Sequence, residues 1–334
     1  MLHMRAMVLE KQSAPEEEPL RLREAPVPDP PAQHIRVRVS VCGVCHTDLH
    51  IVAGDLPLHK QPVIPGHQIV GVVDALGQGA AGFKEGDRVG IPWLHWTDGE
   101  CGYCRRGCEN LCERAQFTGW DVDGGYAEFV IAPADFAYAL PKSFSDEHAA
   151  PLLCAGIIGY RSYHLSHAKK GERLGLYGFG ASAHIVLQFA RHLGNECYVF
   201  TRTPEHAELA KTLGAAWTGR AEQQPPAKLD CAIVFAPAGH IVPLALRAVR
   251  KGGTVACAGI TMSPIPQLDY ADLYHERVLR SVANSTRQDA REFLELAAEV
   301  PVRTEIELFP LEQANQAIAA MKHSRVRGAA VLKL

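Results

Sequence analysis

Residues 173–193 read RLGLYGFGASAHIVLQFARHL. A short apolar run ends in a glycine-punctuated turn, and the turn opens a segment whose apolar residues fall at helical spacing. In such a strand-turn-helix unit Gly178 makes the tight turn. Gly180 lets the backbone approach a pyrophosphate, and Ala183 stands where a third glycine would allow close helix packing. The first N–H groups of the helix would then face the diphosphate. A lone G-x-G-x-x-A is a weak signal, so its weight comes from the flanks. The strand-like runs CYVF (197–200), LDCAIVF (229–235) and GTVACAG (253–259) alternate with helix-like stretches at 181–193 and 241–249. That alternation predicts an α/β fold with a doubly wound parallel sheet.

Upstream the period changes. IRVRVSV at 35–41 alternates strictly, and 69–76, 87–92 and 126–132 are further β-rich runs set off by Gly and Pro. The first 140 or so residues therefore read as a β-rich, loop-rich unit, followed by a helix-like stretch at 146–167. The tail carries helix-like runs at 291–298 and 312–322. Its strand-like runs, 304–309 and 329–334, find no slot in the alternating βα pattern. The expected division is 1–155 with 290–334 as a β-rich domain, and 156–289 as the dinucleotide-binding domain.

Composition bounds the function. The chain has 334 residues, 34 Lys+Arg against 37 Asp+Glu, and a formal net charge of −3. Nothing in that balance invites nucleic acid or an anionic membrane. The opening residues lack the apolar stretch of a secretory signal, and the expected location is the cytoplasm. Of the 10 cysteines, Cys101, Cys104, Cys108 and Cys112 fall close together. In a reducing compartment such clustering points to metal.

Three other segments supply a second donor set: CGVCHTDLH (42–50), PGHQ (65–68) and LLCAG (152–156). Cys45, His67 and Cys154 offer two thiolates and one imidazole, leaving a fourth tetrahedral position open, as in a catalytic zinc site. A cysteine such as Cys154, taken alone, is more often plain core than a ligand. With Gly66, His67 and Gly71, GDRVG (86–90), GGYAEF (124–129) and GFG (178–180), these segments resemble the zinc-dependent medium-chain alcohol dehydrogenases over nearly the whole chain.

The resemblance implies a Rossmann-type doubly wound sheet plus a β-rich GroES-like catalytic domain. It also implies hydride transfer between a nicotinamide cofactor and a small alcohol or carbonyl substrate, in a homodimer or homotetramer. Cys45, His67 and Cys154 would hold the catalytic zinc, and Asp48 would orient His67. Thr47 would hydrogen-bond the substrate oxygen, with His50 as terminal proton acceptor reached through a cofactor ribose hydroxyl. His46 would lie near the pyrophosphate. Leu56, Trp93 and Trp120 would line the substrate pocket, and Ile158 replaces a Thr that often contacts nicotinamide. Gln68 departs from the family's usual Glu: its amide keeps an oxygen but loses the charge, and the fourth place on the catalytic zinc would be taken by solvent, substrate or Gln68.

The cysteine cluster also departs from the family's structural-zinc lobe. Counting back from Cys112 leaves Cys104 and Cys101 in register, with Asp98 in the first position and Cys108 outside the pattern. A carboxylate is an acceptable ligand, so Asp98, Cys101, Cys104 and Cys112 would hold a second zinc, with Cys108 the competitor for Asp98. An NAD enzyme would place a carboxylate after the second strand, where this chain has Thr201 and Arg202. Its absence, with a guanidinium in its place, favours NADP over NAD. Two other readings compete: a zinc-free quinone or enone reductase of the same superfamily, and a non-enzymatic zinc-stabilised binding protein.

Overall fold

The computed structural model describes residues 2–300, 302–323, 325–326 and 328–334. The chain forms two compact units, one of Met1–Cys154, Ser285–Ala298 and Thr304–Leu334, the other of Ala155–Asn284 and Glu299–Arg303. The boundaries thus differ from those expected. Residues 285–289 go with the first unit rather than the second, 299–303 with the second rather than the first, and the first break falls after Cys154.

The first unit is built around His34–Val44. Its alternation buries Ile35, Val37, Val39 and Val41, and turns Arg36 outward to pair with Asp74. This strand pairs with Gln68–Leu76, Phe129–Pro133 and Ala329–Lys333, all antiparallel. Arg88–Ile91 and Tyr138–Ala139 extend the sheet on one side, and Ile306–Pro310 lies parallel to Ala329–Lys333 at the other edge. Both tail strands therefore belong to this sheet, and the helix Ala314–Lys322 connects them. The strand read at 126–132 starts at Phe129 instead. Tyr126 and Ala127 serve the hairpin of His3–Leu9 and Leu20–Pro26, where the Met7 N–H donates to the Tyr126 carbonyl at 2.8 Å.

Two departures shape the site. CGVCHTDLH, which carried no helix signal of its own, is strand to Val44, then Cys45 as cap, then the helix His46–Ala53. The helix-like stretch 146–167 is broken into Asp146–Ala149, a 3-10 turn Ala150–Leu153 and the helix Ala155–Ser166. Cys154 sits in the break with φ −128° and ψ −68°, its sulfur beside that of Cys45.

The second unit holds six parallel strands in the order Trp217–Gly219, Glu196–Phe200, Arg173–Tyr177, Leu229–Val234, Val249–Cys257 and Val278–Ser281. That order, in which the chain starts at the middle and steps outward in each direction, is the doubly wound arrangement. The outermost strands, 217–219 and 278–281, and the helix Pro204–Thr212 carried no sequence signal strong enough to predict them.

One core group of the first unit is charge-sensitive. His95, on the strand Leu94–Trp96, is buried, and its Nδ1 has no partner among the described residues. Burial, with a smaller contribution from His34, pushes its imidazole down to about 4. The neutral form is thus native, and the unfolded chain takes up the proton first as pH falls. Stability is full above pH ~6.5 and drops between ~6.5 and 4, by about 3 kcal/mol at most. His95→Gln is expected to flatten that acid limb of the melting temperature. Identical limbs in the two proteins would refute the assignment.

Candidate functional site

The helix His46–Ala53 begins in a capping box. The Cys45 sulfur accepts the N–H of Asp48, while Asp48 Oδ2 accepts the N–H of Cys45 at 2.8 Å. The second oxygen, Oδ1, takes the Nδ1–H of His67 at 3.1 Å. One fully buried carboxylate thereby fixes the helix start and the imidazole together. With Nδ1 engaged, His67 presents Nε2, which is buried and has no partner among the described residues. Burial opposes a charge on His67, but the Asp48 carboxylate and the Cys45 sulfur outweigh it and raise the imidazole to about 10. The same field favours any cation at Nε2.

The sulfurs of Cys45 and Cys154 lie 3.6 Å apart. That is far beyond a disulfide and close to the ~3.8 Å edge of a tetrahedron with 2.3 Å zinc–sulfur legs. The ligand atoms of Cys45, His67 and Cys154 all fall within 4.8 Å of one another. Contact with Cys154, then with His67, and the N–H of Thr47 pull the Cys45 thiol down against the effect of burial. A buried imidazole nitrogen without a partner beside two thiols is a donor set that zinc fits.

Thr47 is buried, its Oγ1 3.7 Å from the Cys45 sulfur. Gln68 is buried too, and its amide folds over Gly43, where a Cβ would come within 3.0 Å of it. His50 Nδ1 is held by Asp55 Oδ2 at 2.7 Å, while His46 is exposed. Aromatic rings extend from the cluster. The His67 and Trp93 rings meet edge-on at 4.9 Å, and Trp93 lies nearly parallel to Trp120 at 5.8 Å and to Phe117 at 5.0 Å. Trp120 is pinned by its Nε1–H to the Pro57 carbonyl at 2.8 Å and carries the His59 ring at 3.8 Å. Leu56 packs against the same core. Asp55, Phe117 and His59 were not singled out in the sequence, because loop spacing carries no periodic signal.

A second set brings together Asp98, Cys101, Cys104 and Cys112, again with ligand atoms within 4.8 Å. Cys101 and Cys104 sulfurs are 3.6 Å apart. Asp98 Oδ1 accepts the N–H groups of Glu100 and Cys101 at 2.8 and 2.9 Å, and Oδ2 faces Arg114 Nε at 3.0 Å. The two N–H groups, first among several donors, hold its carboxyl far below the usual carboxylate range. The N–H of Cys104 likewise draws the Cys101 thiol down. Cys108 is not one of the four, and its thiol is directed at the Arg106 carbonyl at 3.9 Å.

In the second unit, Gly178 has φ +88°, and a Cβ there would meet the Ala236 nitrogen at 2.9 Å. Gly180 caps the helix Ala181–His192, and a Cβ on it would project into open space, as a backbone that must admit a bulky ligand requires. Ala183 is fully buried. Thr201 and Arg202 follow the neighbouring strand and line a cavity of about 270 Å³. Ile158 lies on the helix Ala155–Ser166, its carbonyl accepting the Ser162 hydroxyl at 2.6 Å.

Comparison with known proteins agrees with these features. Residues 31–142 match the alcohol dehydrogenase GroES-like domain and residues 183–299 the zinc-binding dehydrogenase domain. A probable alcohol dehydrogenase AdhA of Mycobacterium tuberculosis is 50% identical over 94% of this chain and 92% of its own. An alcohol dehydrogenase of Geobacillus stearothermophilus is 37% identical over 99% of this chain and 100% of its own. Among solved structures, a cinnamyl alcohol dehydrogenase of Sorghum bicolor superposes with a TM-score of 0.90 at 26% identity, over 99% of this chain and 98% of its own. A cobalt- and zinc-bound alcohol dehydrogenase of Pyrobaculum aerophilum gives 0.91 at 25%, over 100% of both chains. The chain belongs to the zinc-dependent medium-chain alcohol dehydrogenase family. It is an oxidoreductase that moves a hydride between an alcohol or carbonyl compound and a nicotinamide cofactor.

Proposed function

We propose that Cys45, His67 and Cys154 hold the catalytic zinc, and that Asp98, Cys101, Cys104 and Cys112 hold a structural one, giving two per chain. The observation that carries this reading is the 3.6 Å sulfur pair beside the buried His67 Nε2, which meets no hydrogen-bond criterion with any of the described residues. Zinc, when bound, supplies Lewis-acid polarisation of the substrate oxygen, and the nicotinamide supplies or accepts the hydride. Thr47 is the proton partner of that oxygen: its hydroxyl is buried beside the Cys45 sulfur. His50 passes the proton to solvent, and Asp55 fixes the ring that does so. His50→Ala should lower kcat/KM for alcohol oxidation roughly a hundredfold at low pH, where an acceptor is most needed, and less at high pH. Imidazole buffers should restore part of the loss. An unchanged pH profile would remove His50 from the relay.

The substrate is a small alcohol or aldehyde with a flat, unsaturated tail, because Trp93, Phe117 and Trp120 form the wall next to His67. The sorghum relative by its description acts on a cinnamyl alcohol, which supports this choice. NADP(H) is the favoured coenzyme, since Arg202 stands where a carboxylate would repel a 2′-phosphate. Gly178, Gly180 and Ala183 form the pyrophosphate turn. A panel of primary, secondary and benzylic alcohols with their aldehydes, each assayed with both coenzymes, tests the reading. Benzylic and allylic substrates with NADP(H) should give the highest specificity constants, and a preference for short aliphatic alcohols with NAD(H) would reject it.

The working form is a homodimer or homotetramer. Ile260, Ile265, Tyr270, Tyr274 and Val278 are exposed on or before the outermost strand Val278–Ser281, a surface that self-association would cover. The chain works in the cytoplasm without nucleic acid or membrane partners, in keeping with its net charge of −3; none of the described helices is long and apolar enough to cross a membrane.

A further inference from the structure

The cavity beside Thr201 and Arg202 has a second cationic wall. Arg220 lines it as well, with Thr203, Thr218 and Gln223. The cavity is an indentation open to solvent, with a volume of about 270 Å³. Other arginines of this unit are engaged: Arg173 with Glu196, Arg247 with Asp272, Arg250 with Asp230 and Glu172. The guanidiniums of Arg202 and Arg220 have no hydrogen bond or ion pair among the described residues, and no carboxylate lines their cavity, although Glu205 and Glu222 are close in sequence. Two exposed guanidiniums without a protein partner thus border one hollow, a local excess of positive charge that favours an anion.

The backbone says which anion. Gly178 N–H donates to the Phe200 carbonyl at 2.8 Å, and Thr201 N–H donates to the Gly219 carbonyl at 2.8 Å. The register pairs Tyr177 with Phe200, and Phe200 with Gly219. The cavity therefore lies on the same sheet edge as the dinucleotide turn, one to two strands, or about 5 to 10 Å, away. A pyrophosphate at Gly178 and Gly180 would send its adenosine ribose across this edge. Arg220 is held there by a reciprocal turn: its N–H donates to Gln223 Oε1 at 2.7 Å, and its carbonyl accepts the Gln223 N–H at 3.0 Å.

We propose that Arg220 is a second coenzyme-specificity residue, closing with Arg202 around the phosphate monoester on the adenosine ribose. The inference rests on the NADP(H) reading above and goes beyond it by assigning half of the recognition to a strand that carries no dinucleotide motif. A planar guanidinium on each side gives bidentate contacts to a dianion.

The test titrates adenosine 2′,5′-bisphosphate, 5′-AMP and inorganic phosphate into the intact protein, its Arg202→Ala and Arg220→Ala variants and Arg220→Lys. The wild type should bind the bisphosphate more tightly than 5′-AMP by roughly tenfold to a hundredfold. Arg220→Ala should lose most of that margin, Arg220→Lys should keep part of it, and added salt should shrink it. The NADPH-to-NADH ratio of specificity constants should fall in parallel. No margin in the wild type overturns the NADP(H) reading itself. A margin lost in Arg202→Ala and intact in Arg220→Ala overturns the Arg220 assignment alone. Inorganic phosphate binding as tightly as the bisphosphate would overturn the nucleotide as the ligand.

Discussion

Cys154→Ser is expected to lower turnover by roughly a thousandfold or more while the melting temperature and far-UV circular dichroism stay near wild type. Lewis-acid polarisation is worth several kcal/mol of transition-state stabilisation, and a serine hydroxyl does not replace a thiolate as a zinc donor at neutral pH. The fold should tolerate the change, because Cys154 lies in the break between Ala150–Leu153 and Ala155–Ser166, and serine is close to cysteine in size. Cys45→Ser should behave in the same way for a different reason. Cys45 is the cap of His46–Ala53, and serine is among the preferred capping residues, so the helix start survives the loss of the sulfur. Steady-state kinetics beside a thermal melt decide the matter. Turnover near wild type in either variant would refute the three-ligand site.

Asp48→Asn is expected to weaken zinc retention at the first site by about tenfold to a hundredfold, the usual worth of a group that orients a metal-binding histidine. The neutral amide can still accept the Cys45 N–H and keep the helix capped. It removes the negative charge that favours a cation at His67 Nε2, and it no longer fixes the Nδ1–H tautomer. Asp48→Ala should add a loss of about 1 kcal/mol in stability, because the Cys45 N–H is then left without its acceptor. Zinc release to a competing chromogenic chelator, followed in both variants, separates the two effects. Release rates matching wild type in Asp48→Asn would assign the carboxylate to capping alone.

Strong periodicity made part of this molecule legible from residues alone. The switch from an alternating run at 35–41 to strand-turn-helix units after 173 divides a β-rich unit from a doubly wound one, and both appear. Local helices with atypical starts were hidden. His46–Ala53 opens on a cysteine rather than Ser, Thr, Asp or Asn, so its cap reads as a turn, although the capping carboxylate three residues on was visible. The break at Cys154 is masked by apolar spacing on either side. What long-range pairing decides was illegible for a simpler reason: Arg220 and Arg202 come to line one cavity through the parallel register of Phe200 with Gly219. In the cysteine lobe, spacing alone left Asp98 and Cys108 open. The folded loop curls Asp98 inward through the N–H groups of Glu100 and Cys101, and turns Cys108 toward the Arg106 carbonyl.

Zinc counting by native mass spectrometry on the wild type, Cys154→Ser and Cys101→Ser tests the central claim most directly, because it separates the two sites without relying on activity. Two zincs per chain in the wild type and one in each variant, with turnover lost in Cys154→Ser, is the predicted result. Two zincs retained in Cys154→Ser, or a wild type that binds one, would contradict it.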